Sequence, residues 1–314
     1  MRERIMRNNK LKKKTIVKSN NKAKSRKKNN IKRRLGGDLF LFPSLIGVSV
    51  FMVLPFFVVV YYAMIDNPIR KNFVGLENFA RILDNAAFRM AAVNTLKFSA
   101  IAVPLAVIFS LLLAMLLLSR IPGKTQLRTF YLSPLMVPVA SVVLIWQVLF
   151  DYNGVVNEWF VSFGLDKIDW MKSEYAQIVI VLLFLWKNLG YNMIIFMATL
   201  SSIPKEIVEV ALLESASKWQ IFWHIKIRYL SSTIVFVTIM SLINSFKVFR
   251  EIYLMTGDYP YDTLYMLQHF MNNTFKSLDY QKLSSAAILM SLVMIVIIAI
   301  LFFFENKMSK DLEG

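Results

Sequence analysis

Six apolar segments, at residues 38–64, 94–118, 129–150, 176–199, 231–255 and 284–304, dominate the sequence. Crossing a hydrocarbon core of about 30 Å takes roughly 20 helical residues, and each segment is long enough to do so. Inside a bilayer every backbone N–H and C=O must find its partner within the protein, so runs of this kind fold as helices. The expected fold class is all-α: a polytopic membrane protein with six transmembrane helices. Overall, 56% of residues are hydrophobic and only 18% charged, far from the balance of a soluble domain. The first segment is too long for a cleavable signal peptide and carries Pro43 and Pro55. Pro104, Pro134 and Pro138 also fall inside segments. Prolines there kink helices and free carbonyls that neighbouring helices must satisfy, which suits a packed bundle.

The formal net charge of +17 is concentrated at one end, because residues 1–37 hold sixteen Lys or Arg against one acid. Such a tail has too little apolar surface to order itself and is expected to be disordered. Basic runs bind nucleic-acid phosphates, but one placed directly before a membrane span instead holds the N-terminus on the cytoplasmic side and touches anionic headgroups. No nucleic-acid partner is therefore expected. With both termini cytoplasmic, the short basic loop Arg120, Lys124, Arg128 lies on the same side as the tail. The expected organisation is a basic tail over 1–37, a transmembrane domain over 38–305 and a short cytoplasmic C-terminus over 306–314.

Catalytic chemistry is absent from the sequence patterns. There is no cysteine, and His224 and His269 have no partners at metal-ligand spacing. Gly123-Lys124-Thr125 resembles the end of a phosphate loop, but position 118, where that loop needs glycine, is Leu. No GxSxG or HExxH motif occurs, and the spans are read as free of acids that could relay protons. A non-catalytic chain is expected, with no metal and no cofactor of its own.

Cations inside the spans are then the informative residues. Lys97 lies near one end of its span and Arg250 near the end of another, where both can snorkel to the interface. Lys187 is mid-span, in WKNLGYN, and Lys187, Asn188, Tyr191 and Asn192 share one helix face. A charge in hydrocarbon costs several kcal/mol, so this stripe should face water, a partner or a cavity. A tyrosine face beside two carboxamides suits a polyhydroxylated solute, while interhelical hydrogen bonding explains the same residues equally well. The same choice arises in the fifth span, where Asn244 is assigned to the cavity and Ser245 to packing.

Between the fourth and fifth spans the sequence changes character over IPKEIVEVALLESASKWQIFWHIKIRYL, residues 203–230. Pro204 at the first helical position and Glu206 in the first turn are start signals, and Glu214 to Lys218 has the spacing of a favourable helical ion pair. A short helix outside the membrane core is expected. On physical grounds it could lie at the headgroups through Trp219, Phe222 and Trp223, or dock another protein.

This stretch resembles the cytoplasmic signature of ATP-binding-cassette importer permeases: Glu-Ala-Ala, then acid-Gly-Ala-Ser, then Ile-x-Leu-Pro. Glu209, Val210 and Ala211 match the first triplet, Glu214, Ser215, Ala216 and Ser217 the second step, and Ile225 and Ile227 the third. The sequences VGLENF at 74–79, NTLKF at 94–98, DYNGVVNEW at 151–159 with DW at 169–170, and WKNLGYNMIIFMATLSSIP at 186–204 are similar to the carbohydrate branch of that family, in the same order and spacing. Four positions depart from the pattern. Ser215 replaces a glycine, which predicts a reshaped turn because serine in a left-handed conformation costs roughly 1–2 kcal/mol. Arg228 stands where the family has proline, and Asp258 and Tyr259 replace paired glycines.

The resemblance implies the type I importer permease fold in the cell membrane. It implies a second homologous permease subunit, two ATP-binding-cassette ATPase subunits that hold ATP and Mg, and an extracellular solute-binding protein. The solute would be a sugar or oligosaccharide. Residues Glu206, Glu209, Ala211, Glu214, Ser215, Ala216 and Ser217 would form the helix that couples to the ATPase, and Lys187, Asn188, Tyr191, Asn192 and Asn244 would line the substrate route. An ion-coupled secondary transporter and a membrane scaffold or sensor are the alternatives; the first needs titratable residues within the spans.

Overall fold

The computed structural model describes residues 41–119 and 121–313, with side chains described as far as Asn306. The basic tail over 1–37, the opening of the first span over 38–40, and Arg120 lie outside the described residues. The chain forms two units, Met1–Tyr61 and Tyr62–Gly314.

The first unit holds most of helix α1, Leu41–Ala63. Over Ser49–Val53 this helix widens to a π turn, so that the Leu54 N–H reaches the Ser49 carbonyl directly before Pro55. A proline lacks the N–H of the regular ladder and crowds the preceding turn, and one wider turn accommodates it without breaking the helix.

In the second unit α2 is Glu77–Asp84 and α3 is Ala86–Leu118, so the second span begins eight residues before the apolar run that marks it. Asn85 caps α3 by accepting from the Phe88 N–H. The third apolar segment is not one helix. It comprises α4, Lys124–Leu132 with a 3-10 turn over Ser133–Leu135, and α5, Val139–Leu149, bent by 104° at the break. The reason lies in Pro134 and Pro138: each removes a backbone donor, and the residue before a proline is driven out of the helical region. The span expected over 129–150, with its prolines as kinks, is thus found as two helices that meet at a break. Beyond it come α6, Val155–Ser162, and α7, Ala176–Ser202.

After α7 the short helix α8 spans Lys205–Leu213. Pro204 is its N-cap rather than its first helical residue. The chain beyond α8 brings a correction. Helix α9 runs from Lys218 to Thr256 as a 39-residue span, with a π turn over Ile221–Lys226 and a one-residue interruption at Val248 between Ile227–Lys247 and Phe249–Thr256. Trp219, Phe222 and Trp223 therefore open the fifth span instead of belonging to a detached helix. Arg228, in place of the proline of the family pattern, keeps the N–H that lets the helix continue. Helices α10, Leu267–Lys276, and α11, Tyr280–Glu313, complete the chain. No strand occurs among the described residues; the one pairing outside helices is an isolated bridge between Ile65 and Phe73.

Packing of the second unit centres on α3 against α7, the most extensive pair, with α9 lying against both and α11 against α9. Ala102, Ala106, Ser110 and Ala114 repeat every fourth residue along α3 and are fully buried. Small residues in such a row let helix backbones approach closely, which is how helices associate in lipid where the hydrophobic effect between them is weak. Phe98, Ile180, Phe184 and Ile252 fill the core at one end, and Leu117, Met193, Phe196 and Leu230 at the other. Broken α4 is held just as closely: a Cβ at Gly190 of α7 would lie 1.9 Å from the Tyr131 carbonyl oxygen.

Buried asparagines clasp the loops. Asn78 Nδ2 donates to the Ala63 and Ile65 carbonyls at 3.0 and 2.8 Å. Asn157, fully buried, donates to the Tyr152 and Ile168 carbonyls and accepts from the Ile168 N–H and Trp170 Nε1. Asp258 ties the loop after α9 to α10: its carboxylate pairs with Lys276 at 2.5 Å and its carbonyl accepts from Asn273 at 3.0 Å. In α10 the fully buried His269 packs edge-on against Phe249 with ring centroids 4.6 Å apart. Its Nδ1 accepts from the Met266 N–H. Burial pushes its pKa down to about 4, against the attraction of the Asp258 carboxylate.

Gly190→Ala forces α4 away from α7 and is expected to cost about 1–3 kcal/mol, read as a lowered melting temperature of the detergent-purified protein. His269 is neutral when folded, whereas in the unfolded chain it takes up a proton near pH 6.5. Between pH 6.5 and about 4 the unfolded state binds more protons, so stability is complete above 6.5 and falls as pH drops through that window, by up to about 3 kcal/mol. His269→Gln is expected to flatten this dependence in melting curves recorded from pH 7.5 to 4.

Candidate functional site

Two regions carry the polar residues singled out from the sequence, and α9 contributes to both. The first lies where α7 and α9 cross. Asn188 donates to the Phe184 carbonyl one turn back at 2.8 Å, and its Oδ1 accepts from Asn244 Nδ2 at 2.9 Å. Lys187 forms an ion pair with Glu251 of α9. Glu251 is almost wholly buried, and its Oε2 has no hydrogen-bond partner among the described residues. Burying an ionised carboxylate is expensive unless a cation meets it, so Lys187 is the group that makes Glu251 tolerable there.

These side chains surround a cavity of about 220 Å³, lined by Lys187, Asn188, Asn244, Lys247, Arg250 and Glu251 and by the apolar Leu135, Leu183, Phe184 and Val248. Leu135 comes from the 3-10 turn at the break after α4, so the proline-induced bend supplies part of the wall. Lys187, Asn188 and Asn244 are thus brought together. Tyr191 and Asn192 are not among the lining residues. Tyr191 is 43% exposed, while Asn192 is buried and donates to Ser241 Oγ at 2.9 Å, an interhelical bond. Ser245 likewise shares a hydrogen bond with Ser99 of α3 at 2.8 Å.

Glu251 corrects the expectation that the spans hold no acid. It lies within the fifth apolar segment, four residues after Lys247, and that i, i+4 spacing of opposite charges was the signal that could have found it. Its partner is on another helix, however, 64 residues away in sequence. Arg250, expected to snorkel, borders the cavity instead.

The second region is the turn from α8 into α9. The Ala216 N–H bonds the Ala211 carbonyl at 2.9 Å and the Ser215 N–H bonds the Leu212 carbonyl at 3.0 Å, the pattern of a Schellman C-cap. Ser215 occupies the left-handed position with φ 62°, so the turn keeps the geometry glycine would favour instead of being reshaped. Ser217 then caps α9: its Oγ accepts from the Gln220 N–H at 3.2 Å, and Gln220 Oε1 accepts from the Ser217 N–H at 2.8 Å. The expected Glu214–Lys218 pair is not formed, since Glu214 ends one helix and Lys218 begins the next. Glu206, Glu209, Glu214 and Ser215 are exposed, as are Val210, Leu212 and Leu213, while Ala211 and Ala216 are half-buried against one another's turn.

Residues 106–313 match the model of the family described as "binding-protein-dependent transport system inner membrane component". The chain belongs to that family. It is similar to the trehalose/maltose transport system permease protein of Thermococcus litoralis, 27% identical over 88% of this chain and 95% of the relative. It is also similar to the multiple sugar-binding transport system permease protein of Streptococcus mutans, 28% identical over 88% of this chain and 96% of the relative. Among solved structures, a chain of a bacterial alginate ABC transporter, crystallised with an alginate pentasaccharide-bound periplasmic protein, superposes with a TM-score of 0.77. At 20% identity over 90% of this chain and 98% of that one, it shows a shared fold, that of an importer permease. Membership in a family of inner membrane transport components, together with the long apolar helices, makes this a multi-pass membrane protein.

Lys187→Met leaves the buried Glu251 carboxylate without its cation and is expected to destabilise by about 3 kcal/mol. Adding Glu251→Leu is expected to restore most of that loss. Melting of the two variants beside the parent protein decides it, and a double variant no better than the single one would refute the pairing as the cause.

Proposed function

We propose that the chain is the permease subunit of an ATP-driven importer that carries a sugar or oligosaccharide delivered by an extracellular solute-binding protein. On this reading it pairs with a second homologous permease, while two ATP-binding-cassette ATPase subunits hold ATP and Mg and perform the hydrolysis. Both termini are cytoplasmic. Sugar as the solute class is supported by the relatives, whose names specify trehalose, maltose and multiple sugars.

The observation that carries the mechanism is that α9 links the two regions. This span of 39 residues, about 58 Å long, begins at the Ser217 cap, runs without a break from Ile227 to Lys247 and, after the interruption at Val248, ends beyond Glu251. The exposed helix α8 docks in the ATPase through Glu209 and its apolar neighbours. When the ATPase dimer closes, the Schellman turn and the capping box transmit the displacement into α9 as a rigid body. The far part of α9 carries Asn244, Lys247, Arg250 and Glu251, so the cavity walls on α7 and α9 shift relative to one another. Coupling of this kind needs one element with two arrangements that both sites bias, and α9 touches both sites.

An ion-coupled secondary transporter needs an intramembrane group free to exchange a proton or ion. Glu251 is such a carboxylate by position, but it is committed to Lys187.

Reconstitution of the full transporter tests the proposal. Glu209→Lys is expected to abolish the rise in ATPase rate that solute-loaded binding protein causes, while the assembled complex remains intact; an unchanged rise would sink the docking role of α8. Ser215→Gly relieves a left-handed serine and is expected to raise the melting temperature, by the equivalent of about 1 kcal/mol. Ser217→Ala is expected to lower it by a similar amount.

A further inference from the structure

The charges around the α7–α9 cavity do not balance. Three cations line it, Lys187, Lys247 and Arg250, against one carboxylate, Glu251. Lys187 and Glu251 neutralise one another through their ion pair. Lys247 and Arg250 have no ion pair and no hydrogen bond among the described residues, and both are exposed. They stand three residues apart on α9, on either side of the interruption at Val248, and both line the same cavity. Beside them Asn244 donates to Asn188 but keeps its Oδ1 unengaged among the described residues. The remaining wall is apolar.

Cations within a membrane span are costly unless something compensates them, and two on one side of an apolar-walled cavity are far stronger attractors for an anion than the same pair in bulk water. A neutral sugar gains nothing from them that hydroxyls and carboxamides would not supply. An anionic group gains two charge-assisted contacts, one of them the planar fork of Arg250, which suits a carboxylate or phosphate. Asn244 Oδ1 adds an acceptor for a sugar hydroxyl.

We propose that this cavity binds the anionic group of an acidic saccharide, a sugar bearing a carboxylate or phosphate, through Lys247 and Arg250. The Lys187–Glu251 pair holds the wall and leaves the two α9 cations to the solute. This rests on the reading of the chain as a saccharide permease and names the class of saccharide it moves.

The complete transporter, with its own binding protein, is reconstituted in vesicles with ATP on the ATPase side. Uptake of a galacturonic-acid trisaccharide is compared with that of a neutral glucose trisaccharide, in neutral lipid and in lipid containing anionic headgroups. The acidic trisaccharide is expected to enter about tenfold faster, and Lys247→Gln with Arg250→Gln is expected to remove that advantage. Lys247→Arg with Arg250→Lys, which keeps both charges, is expected to retain it. Equal or faster uptake of the neutral sugar, unaffected by the glutamine variants, overturns the acidic-solute inference and leaves the saccharide reading standing. Uptake of neither sugar overturns both. Rates that follow the anionic-lipid content and ignore which trisaccharide is present also overturn it, assigning the two cations to headgroups.

Discussion

A buried carboxylate held by a single lysine from another helix is the interaction around which this membrane domain is arranged. Glu251 and Lys187 can meet only if α7 and α9 cross at a fixed height and rotation, and the surrounding contacts enforce that geometry. Asn188 and Asn244 bond beside the pair, and Asn192 and Ser241 bond further along the same two helices. The α3 row of alanines and a serine lets α3 lie close to α7, and Ser99 and Ser245 join α3 to α9. In hydrocarbon these polar bonds have no water to compete with them, so they set register more than they add stability.

The breaks in regularity fall where the cavity and the turn need them. Pro134 and Pro138 break the third segment, and the resulting 3-10 turn contributes Leu135 to the cavity wall. Gly190 admits the α4 backbone to within contact of α7. At the opposite end of α9, a serine in a left-handed conformation and a reciprocal Ser217–Gln220 cap turn the chain sharply between two helices using only local hydrogen bonds. A turn tied at both sides, feeding a helix that runs without a break from Ile227 to Lys247, can pass a displacement on without absorbing it.

Much of this was legible in the sequence because its signals are local. Apolar run length marks the spans, and Pro204 with Glu206 marks the start of the short helix; the restart at Ser217 was hidden by the helical spacing of Glu214 and Lys218. The positions of Asn78 and Asn157 within the matched motifs gave no hint of their use; each acts by donating to backbone carbonyls that are distant in sequence, so the residue type alone is uninformative. Hydropathy also misjudged helix ends. The window that finds the second span starts at the apolar run, whereas Asn85 caps the helix nine residues earlier. The charged opening of α9 likewise hid a helix that continues straight into the span.

By itself, the sequence determined that this chain crosses a membrane as several helices and that an exposed, charged turn interrupts them, because both depend on composition and short-range hydrogen bonding. Only the tertiary structure decided which polar residues meet. Lys187, Asn188, Tyr191 and Asn192 share a face by helical period, yet the crossing of α7 with α9 gives the first two to the cavity, buries Asn192 against Ser241 and leaves Tyr191 outside. Glu251 acquires its meaning only from a lysine 64 residues away. Helix rotation and crossing height select those partners, and they are set by the packing of small residues across three helices together.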